Sequence, residues 1–452
     1  MKRTTTTLPP PVARPPLGGG RARKGYPRML MTPPGPKGRK IIELDRKWTS
    51  PSYIKEYPLV MAGGKGAMVE DVDGNRYIDW MAGIAVSSTG YNHPRVVKAV
   101  QEAAGKFLHM CGTDFYYESM ALLCERLARL APGKGKKRVF LTNSGTEAVE
   151  GAVKLARFST GRSGLIAFEG AFHGRTYAAL SLTKSKEKYK TGFGPFVPNV
   201  THLPYDYPYR GIDGVAAAEN LAGFGVSPKE IAAVVIEPFQ GEGGYVMPRP
   251  EFLKAWRRIC DENGILLVFD EIQSGVGRTG RMWAADYFGV APDILLTAKG
   301  LGSGLPIGAI VAKESVMTWP QGSHGTTFGG NAVCCAAALA TLDLVEGGLC
   351  ENAAGMGERL LAGLSKLQEK HECIGDVRGA GLMIGVEFVK DRASKEPAAE
   401  LVHKLELAAF EKGLLLLSCG KSVIRVAPPL VLDEYDVDKG LEILDDCLSG
   451  LG

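Results

Sequence analysis

The stretch Gly264-Ile-Leu-Leu-Val-Phe-Asp-Glu-Ile-Gln-Ser-Gly275, with Asp293-Ile-Leu-Leu-Thr-Ala-Lys-Gly-Leu-Gly302 after it, decides how this chain folds. Each half is a short, almost wholly apolar run that stops abruptly on charge. The first stops at Asp270 and Glu271, the second at Lys299. Runs of this length without polar alternation read as strands buried on both faces. The amphipathic stretch 249–263 before the first run reads as a helix.

The same rhythm continues in both directions. Apolar strand candidates fall at 138–142, 164–168, 231–237 and 307–312, and a helix follows Ser144 to about residue 157. Buried strands alternating with helices predict an α/β fold whose mostly parallel sheet is covered by helices. Residues 66–79 alternate around Asp73-Gly74, which predicts a β-hairpin. Asn92-His93-Pro94 opens an amphipathic helix carrying Val96, Val97, Val100 and Ala104 on one face. After about residue 335 the pattern changes to an Ala/Leu-rich helix, the stretch 378–389, a helix over 397–412 and strands near 414–417 and 423–426. That pattern predicts a smaller α+β domain. The expected organisation is an irregular basic extension over 1–40, a segment over 41–90 joining the small domain, a large domain over 91–335 and the small domain over 336–452.

The chain has 452 residues and a formal charge of +5. Ten Lys/Arg and no acid fall in residues 1–40, so the remainder carries 44 basic and 49 acidic side chains, a net of −5. The charge therefore gives no reason to expect a nucleic-acid partner for the folded body. The head holds nine of the 27 prolines and Gly18-Gly19-Gly20, a composition that disfavours regular structure. An inert extension, a targeting segment or a polyanion tether all fit it. No run of 18 apolar residues occurs, so no membrane partner is expected. The nine cysteines and seven histidines show no zinc-like spacing, which points to a reducing, cytoplasmic setting and no metal. The 58 glycines, about 13% of the chain against a usual ~7%, imply many tight turns and close backbone approaches.

In parallel α/β sheets ligands bind beyond the carboxyl ends of strands. After strand 138–142 comes Asn143-Ser-Gly-Thr-Glu147. Ser144 and Glu147 have capping-box spacing, and the small residues suit a phosphate at a helix N-terminus; an ordinary capped helix reads the same way. Asp270-Glu271 ends a buried strand, where a carboxylate needs a cationic partner such as a protonated ring nitrogen, unless both acids cap a turn. Lys299 ends another strand, where burial lowers an amine pKa and makes a nucleophile or base, unless the side chain reaches solvent. Gly275-Val-Gly-Arg-Thr-Gly280 matches a dinucleotide fingerprint. It does not follow its strand immediately, and Lys299 stands where an acid is required. Phosphate cradle, strand-end carboxylate and strand-end lysine together describe a pyridoxal 5′-phosphate site.

Here a resemblance becomes specific. From about residue 41 onward the chain resembles the class III (ω-amino acid) aminotransferases of fold type I. The matching runs are Asp79-Trp-Met-Ala-Gly-Ile-Ala-Val86, Asn143-Ser-Gly-Thr-Glu147, Phe172-His-Gly-Arg175, Glu237-Pro-Phe-Gln-Gly-Glu-Gly243, Phe269-Asp-Glu-Ile-Gln-Ser-Gly275, Ala298-Lys-Gly-Leu-Gly302, Thr327-Phe-Gly-Gly-Asn331 and Arg425-Val-Ala-Pro-Pro429. The pattern is nearest to 4-aminobutyrate and acetylornithine aminotransferases.

The resemblance implies roles residue by residue. Lys299 would be the Schiff-base lysine and proton shuttle, Asp270 the partner of the pyridine nitrogen, and Gln273 the partner of the phenolic oxygen. Phe172 and His173 would lie at the ring, and Ser144, Gly145 and Thr146 at the phosphate. Thr327 would reach the phosphate of a neighbouring subunit, which implies a homodimer. Arg425 would clamp an α-carboxylate, Glu242 would neutralise that arginine for an ω-amino end, and Arg175 would hold a distal carboxylate. Ile84 stands where 4-aminobutyrate enzymes carry an apolar residue and ornithine enzymes a tyrosine. The implied activity is ping-pong transfer from an ω-amino acid, with 4-aminobutyrate foremost, to 2-oxoglutarate. Acetylornithine or ornithine transamination and amino-acid racemisation are the alternatives.

Overall fold

The computed structural model describes residues 26–451. Three strands near the N-terminus, β1 (Met61–Lys65), β2 (Met68–Asp71) and β3 (Arg76–Asp79), form an antiparallel meander. The turn between β2 and β3 holds Asp73-Gly74, with Gly74 at φ +91. Seven strands build the central sheet: β4 (Lys137–Thr142), β5 (Gly164–Phe168), β6 (Val200–Leu203), β7 (Ile231–Ile236), β8 (Leu266–Asp270), β9 (Ile294–Thr297) and β10 (Gly308–Lys313). Their order is β4-β10-β9-β8-β7-β5-β6. Only β10 runs against its neighbours, β4 and β9, so the sheet is mixed with a mainly parallel core.

Alternation along these strands divides the core into two layers. Leu165, Ala233, Val235, Val268, Leu296 and Ile310 pack with the helix Gly145–Thr160. The intervening Ile166, Val234, Leu267, Phe269, Leu295 and Val311 face the opposite way, into the layer that holds Phe252 and Trp256 of the helix Pro250–Asn263. Both faces are covered, which is why these strands read as continuous apolar runs.

A second antiparallel sheet, ordered β11-β12-β15-β14, comes from β11 (Ile374–Ala380), β12 (Met383–Phe388), β14 (Leu417–Cys419) and β15 (Val423–Val426). The two-residue strand β13 (Leu414–Leu415) pairs in parallel with β3, so residues 414–415 complete the N-terminal sheet. The helical run Ala332–Lys370 is long and apolar enough, by length and composition alone, to cross a membrane. Half of its most apolar window is buried inside the protein, and its first part packs on the helices Pro94–Ala104 and Glu118–Leu130.

The structure corrects the expected irregularity of residues 1–40 at its C-terminal end; residues 1–25 lie outside the described part. A helix begins at Pro36 and continues to Trp48. Pro36 takes a first-turn position, where a missing N–H costs nothing. Asp73, in the turn after β2, supplies the cap, accepting Lys37 N–H at 2.9 Å and Gly38 N–H at 2.8 Å. The glycine-rich 275–280 stretch is no dinucleotide loop. Gly277 and Gly280 have φ of +83 and +82, and the buried Arg278 donates to Leu382 O at 3.0 Å and to Pro428 O at 2.5 Å, tying the large sheet region to the C-terminal part.

Candidate active site

The parallel strands deliver their carboxyl ends to one edge of the central sheet. In the β8–β9 register Asp270 pairs with Leu296, so Lys299, just past the end of β9, emerges at that same edge. A cavity of about 600 Å³ opens there. Its walls include Ser144, Gly145, Thr146, Phe172, His173, Arg175, Asp270, Gln273 and Lys299, all residues singled out from the sequence.

Lys299 has φ +42, a left-handed conformation unusual for a residue with a Cβ. The following turn fixes it: Leu301 N–H donates to Ala298 O at 2.9 Å and Gly302 N–H to Lys299 O at 3.1 Å. The side chain is partly exposed, into the cavity it lines, while protein surrounds the amine. Burial lowers its pKa to about 8, against the opposing pull of Asp270. At pH 7 about one-tenth of such amines are neutral, against roughly 3 in 10,000 for an ordinary lysine. The apoenzyme should therefore take up pyridoxal phosphate covalently at a rate that rises with pH and levels off above about pH 8. A rate still climbing tenfold per pH unit past 9 would contradict this environment; borohydride trapping against time at each pH measures it.

Asp270 is buried and meets His173 Nδ1 through Oδ2 at 2.7 Å, while its Oδ1 accepts the N–H of Ile272 at 3.1 Å. Burial opposes a charge on His173, but the bond to Asp270 and the nearby Glu237 outweigh it, and the imidazole pKa is raised. His173 Nε2 is buried with no hydrogen-bond partner among the described residues. Glu237, also buried, accepts Phe172 N–H at 2.9 Å and Gly241 N–H at 2.8 Å, and desolvation raises its pKa to about 7. Gln273 Oε1 accepts the phenol of Tyr245 at 2.7 Å, which fixes the amide's orientation.

One wall of the cavity is the start of the helix Gly145–Thr160. Ser144 Oγ accepts Glu147 N–H at 3.4 Å, and the Glu147 carboxylate returns to Asn143 N–H at 2.9 Å, one residue earlier than in a standard capping box. The positive end of this 16-residue helix points into the cavity wall. Gly174 has φ +130, and a Cβ there would lie 2.2 Å from Thr146 Oγ1, so only glycine lets these two segments close.

Glu242 and Arg425 form a buried pair beside this cavity, Arg425 Nη1 donating to Glu242 Oε2 at 3.0 Å. Arg425 lies close enough that its charge adds to burial in lowering the Lys299 pKa. Arg175 sits over the ring of Tyr189 at 4.3 Å, and Tyr189 packs edge-on to Phe172 with ring centres 5.8 Å apart. Ile84 and Thr327 are not brought into the cavity of the single chain. Both are exposed, and Ile84 lies in a tight turn at φ +68. Sequence reasoning missed Glu237, Tyr189, Tyr245 and Lys186. Glu237 lay inside a matched run; Lys186 lay in Lys184-Ser-Lys-Glu-Lys-Tyr-Lys190, which reads as a solvated basic face.

A lysine amine in the cavity, a carboxylate held against an imidazole with a free buried nitrogen, and a helix start closed by glycine suit a flat, phosphorylated pyridine. Fold and site together define a fold type I pyridoxal-phosphate enzyme. The sequence profile described as aminotransferase class-III matches residues 50–448, and the chain belongs to that family. It is 42% identical over 402 residues to a 5-aminovalerate aminotransferase of Pseudomonas aeruginosa, spanning 87% of this chain and 94% of that protein. It is 41% identical over 442 residues to a 4-aminobutyrate aminotransferase of Mycobacterium tuberculosis, spanning 94% and 98%. An alanine/serine racemase of Pyrococcus horikoshii is 39% identical over 448 residues, spanning 94% of each chain. Among solved structures, the ornithine aminotransferase of Toxoplasma gondii superimposes with a TM-score of 0.82 at 32% identity, covering 91% of this chain and 95% of that one. Pyridoxal 5′-phosphate is the cofactor of this aminotransferase.

Proposed function

We propose that the enzyme moves an amino group from an ω-amino acid, 4-aminobutyrate foremost, to 2-oxoglutarate in two successive half-reactions. The observation that carries this reading is the buried Glu242–Arg425 pair beside Lys299. With its charge met by Glu242, Arg425 accepts a substrate that presents an uncharged or amino end. With Glu242 displaced, its guanidinium takes an α-carboxylate in a planar, multidentate way. One pocket then serves both partners. Relatives that carry the names 4-aminobutyrate and 5-aminovalerate aminotransferase support it.

Bound in the cavity, the cofactor supplies an aldehyde carbon that condenses with amines and a conjugated pyridine that stores the electron pair released at the substrate carbon. The chain does the rest. Ser144, Gly145 and Thr146 would hold the phosphate, Phe172 would lie at the ring, and Gln273 would bond the phenolic oxygen. Asp270, oriented by His173, would keep the ring nitrogen protonated. Lys299 Nζ would bond the aldehyde carbon of the group and, when free, would accept and return a proton at the substrate carbon. Arg175 meets the distal carboxylate. Thr327 reaches a second copy of the chain, a homodimer. The exposed apolar side chains of Phe107, Leu108, Met110, Phe115, Tyr116 and Phe328 support such an interface. We place the enzyme in the cytoplasm, a setting that suits nine cysteines present as free thiols. No nucleic acid or membrane enters this reading.

The 39% identity to a racemase favours one second reading, in which the same lysine returns the proton without net transfer. A donor panel separates them. Purified enzyme should form glutamate from 2-oxoglutarate with 4-aminobutyrate, 5-aminovalerate, ornithine and acetylornithine at graded rates. Appearance of D-amino acid from a single L-amino acid without any oxo acid would replace the transaminase reading with the racemase one.

A further inference from the structure

We propose that Lys186 determines specificity in the second half-reaction, by holding the Glu242 carboxylate when an incoming α-carboxylate takes Arg425. The inference rests on the transaminase reading above and deepens it.

Glu242 is shared between two cations, one for each oxygen. Oε2 accepts Arg425 Nη1 at 3.0 Å, and Oε1 faces Lys186 Nζ at 2.8 Å. The Tyr189 phenol donates to Oε1 as well, at 3.2 Å. Glu242 is only 9% exposed, so loss of every cation would leave a buried, uncompensated carboxylate. Such a state is strongly unfavourable, far more than breaking a solvated pair. Arg425 is built to exchange partners. It is 5% exposed, its Nε has no hydrogen-bond partner among the described residues, and Nη1 makes its bond to Glu242. A carboxylate arriving there competes with Glu242 for the guanidinium. In a site with Arg425 alone, that competition strands Glu242. Here Lys186 and Tyr189 keep one oxygen satisfied throughout.

Lys186 is placed to do this without closing the pocket. Its side chain is 29% exposed, and its ammonium lies 6.0 Å from the centre of the Tyr189 ring, which also carries Arg175 on its face. Burial disfavours its charge, but Glu242 more than compensates and holds the ammonium pKa above the ordinary value. The ω-amino half-reaction leaves the Glu242–Arg425 pair intact, so it has no need of Lys186. The oxo-acid half-reaction breaks the pair and depends on it.

The test uses full-length holoenzyme and glutarate, a dicarboxylate with no reacting carbonyl, as the calorimetric probe. Lys186→Met should weaken glutarate binding about tenfold, equivalent to ~1.4 kcal/mol, and Lys186→Arg should restore it to within roughly threefold. The KM for 2-oxoglutarate should rise by a similar factor while that for 4-aminobutyrate stays within about twofold. In a Glu242→Gln background, Lys186→Met should have no effect, because no charge remains to be held. An equal loss of glutarate affinity in that background overturns the proposal in favour of direct attraction between Lys186 and the ligand. Unchanged affinity for Lys186→Met in the parent enzyme overturns it outright. Should Lys186→Met fail to fold, Lys186→Gln carries the same comparison. A parent enzyme that binds glutarate yet moves no amino group removes the transaminase reading, and the binding series still decides the role of Lys186.

Discussion

Lys299→Ala should lower turnover by about 10⁴-fold or more, the upper range for removing a positioned proton-transfer group, with loss of the covalent link to cofactor added. The reason lies in where the amine sits. Its surroundings lower its pKa to about 8, so a usable fraction is neutral near pH 7 and can bond a carbonyl carbon. It emerges at the same strand edge as Asp270, so one amine can serve the bond to cofactor and the proton shuttle. Alanine would remove both proposed roles and leave the fold, since the turn after β9 is held by backbone bonds. Two measurements check this. After borohydride reduction and denaturation, the cofactor should remain attached to the parent chain and be absent from the variant. Single-turnover absorbance changes with 4-aminobutyrate should disappear. Lys299→Arg is the informative control, because its guanidinium keeps the charge and never becomes neutral near pH 7. A Lys299→Ala enzyme that retains attached cofactor would move the linkage elsewhere.

Asp270→Asn should cost about 10²–10³-fold in kcat, the range for removing one preorganised electrostatic partner. The substitution keeps the shape and removes the charge. In the native site Asp270 is buried, bonded to His173 and aligned by the Ile272 N–H. Two effects follow from the one change. On the proposed reading, the ring nitrogen of the cofactor would lose the anion that keeps it protonated, and the electron pair released at the substrate carbon would be less well stored. His173 loses the interaction that raises its pKa, and burial then pulls that pKa down. The variant should therefore retain cofactor, turn over slowly, and show a His173 resonance that stays neutral to lower pH than in the parent. A parent-like His173 titration would mean that Asp270 does not control that imidazole.

The legibility of this site in the sequence follows from its construction. Asp270 and Lys299 stand at the ends of β8 and β9, strands so uniformly apolar that the first charged residue marks the sheet edge. Ser144 and Glu147 announce a helix start through their spacing alone. By contrast, Lys186 and Tyr189 sit in a basic run that reads as surface. Only the folding of that segment over Glu242 gives the run a buried partner 53 residues on from Tyr189. Ile84 and Thr327 show a different limit: both are exposed in the single chain, and neither lines its cavity.

What the sequence determined by itself was local and periodic: buried strands, covering helices, the hairpin around Asp73-Gly74, and the order of charged residues at strand ends. These follow from apolar patterning, cap spacing and turn chemistry, which act over a few residues. The tertiary structure alone decided which distant groups meet. Asp73 caps the helix that starts at Pro36, residues 414–415 complete a sheet begun at residue 61, and Glu242 stands between Arg425 and Lys186. A buried charge is stable only beside its counter-charges, and no local pattern records where the fold will bring them.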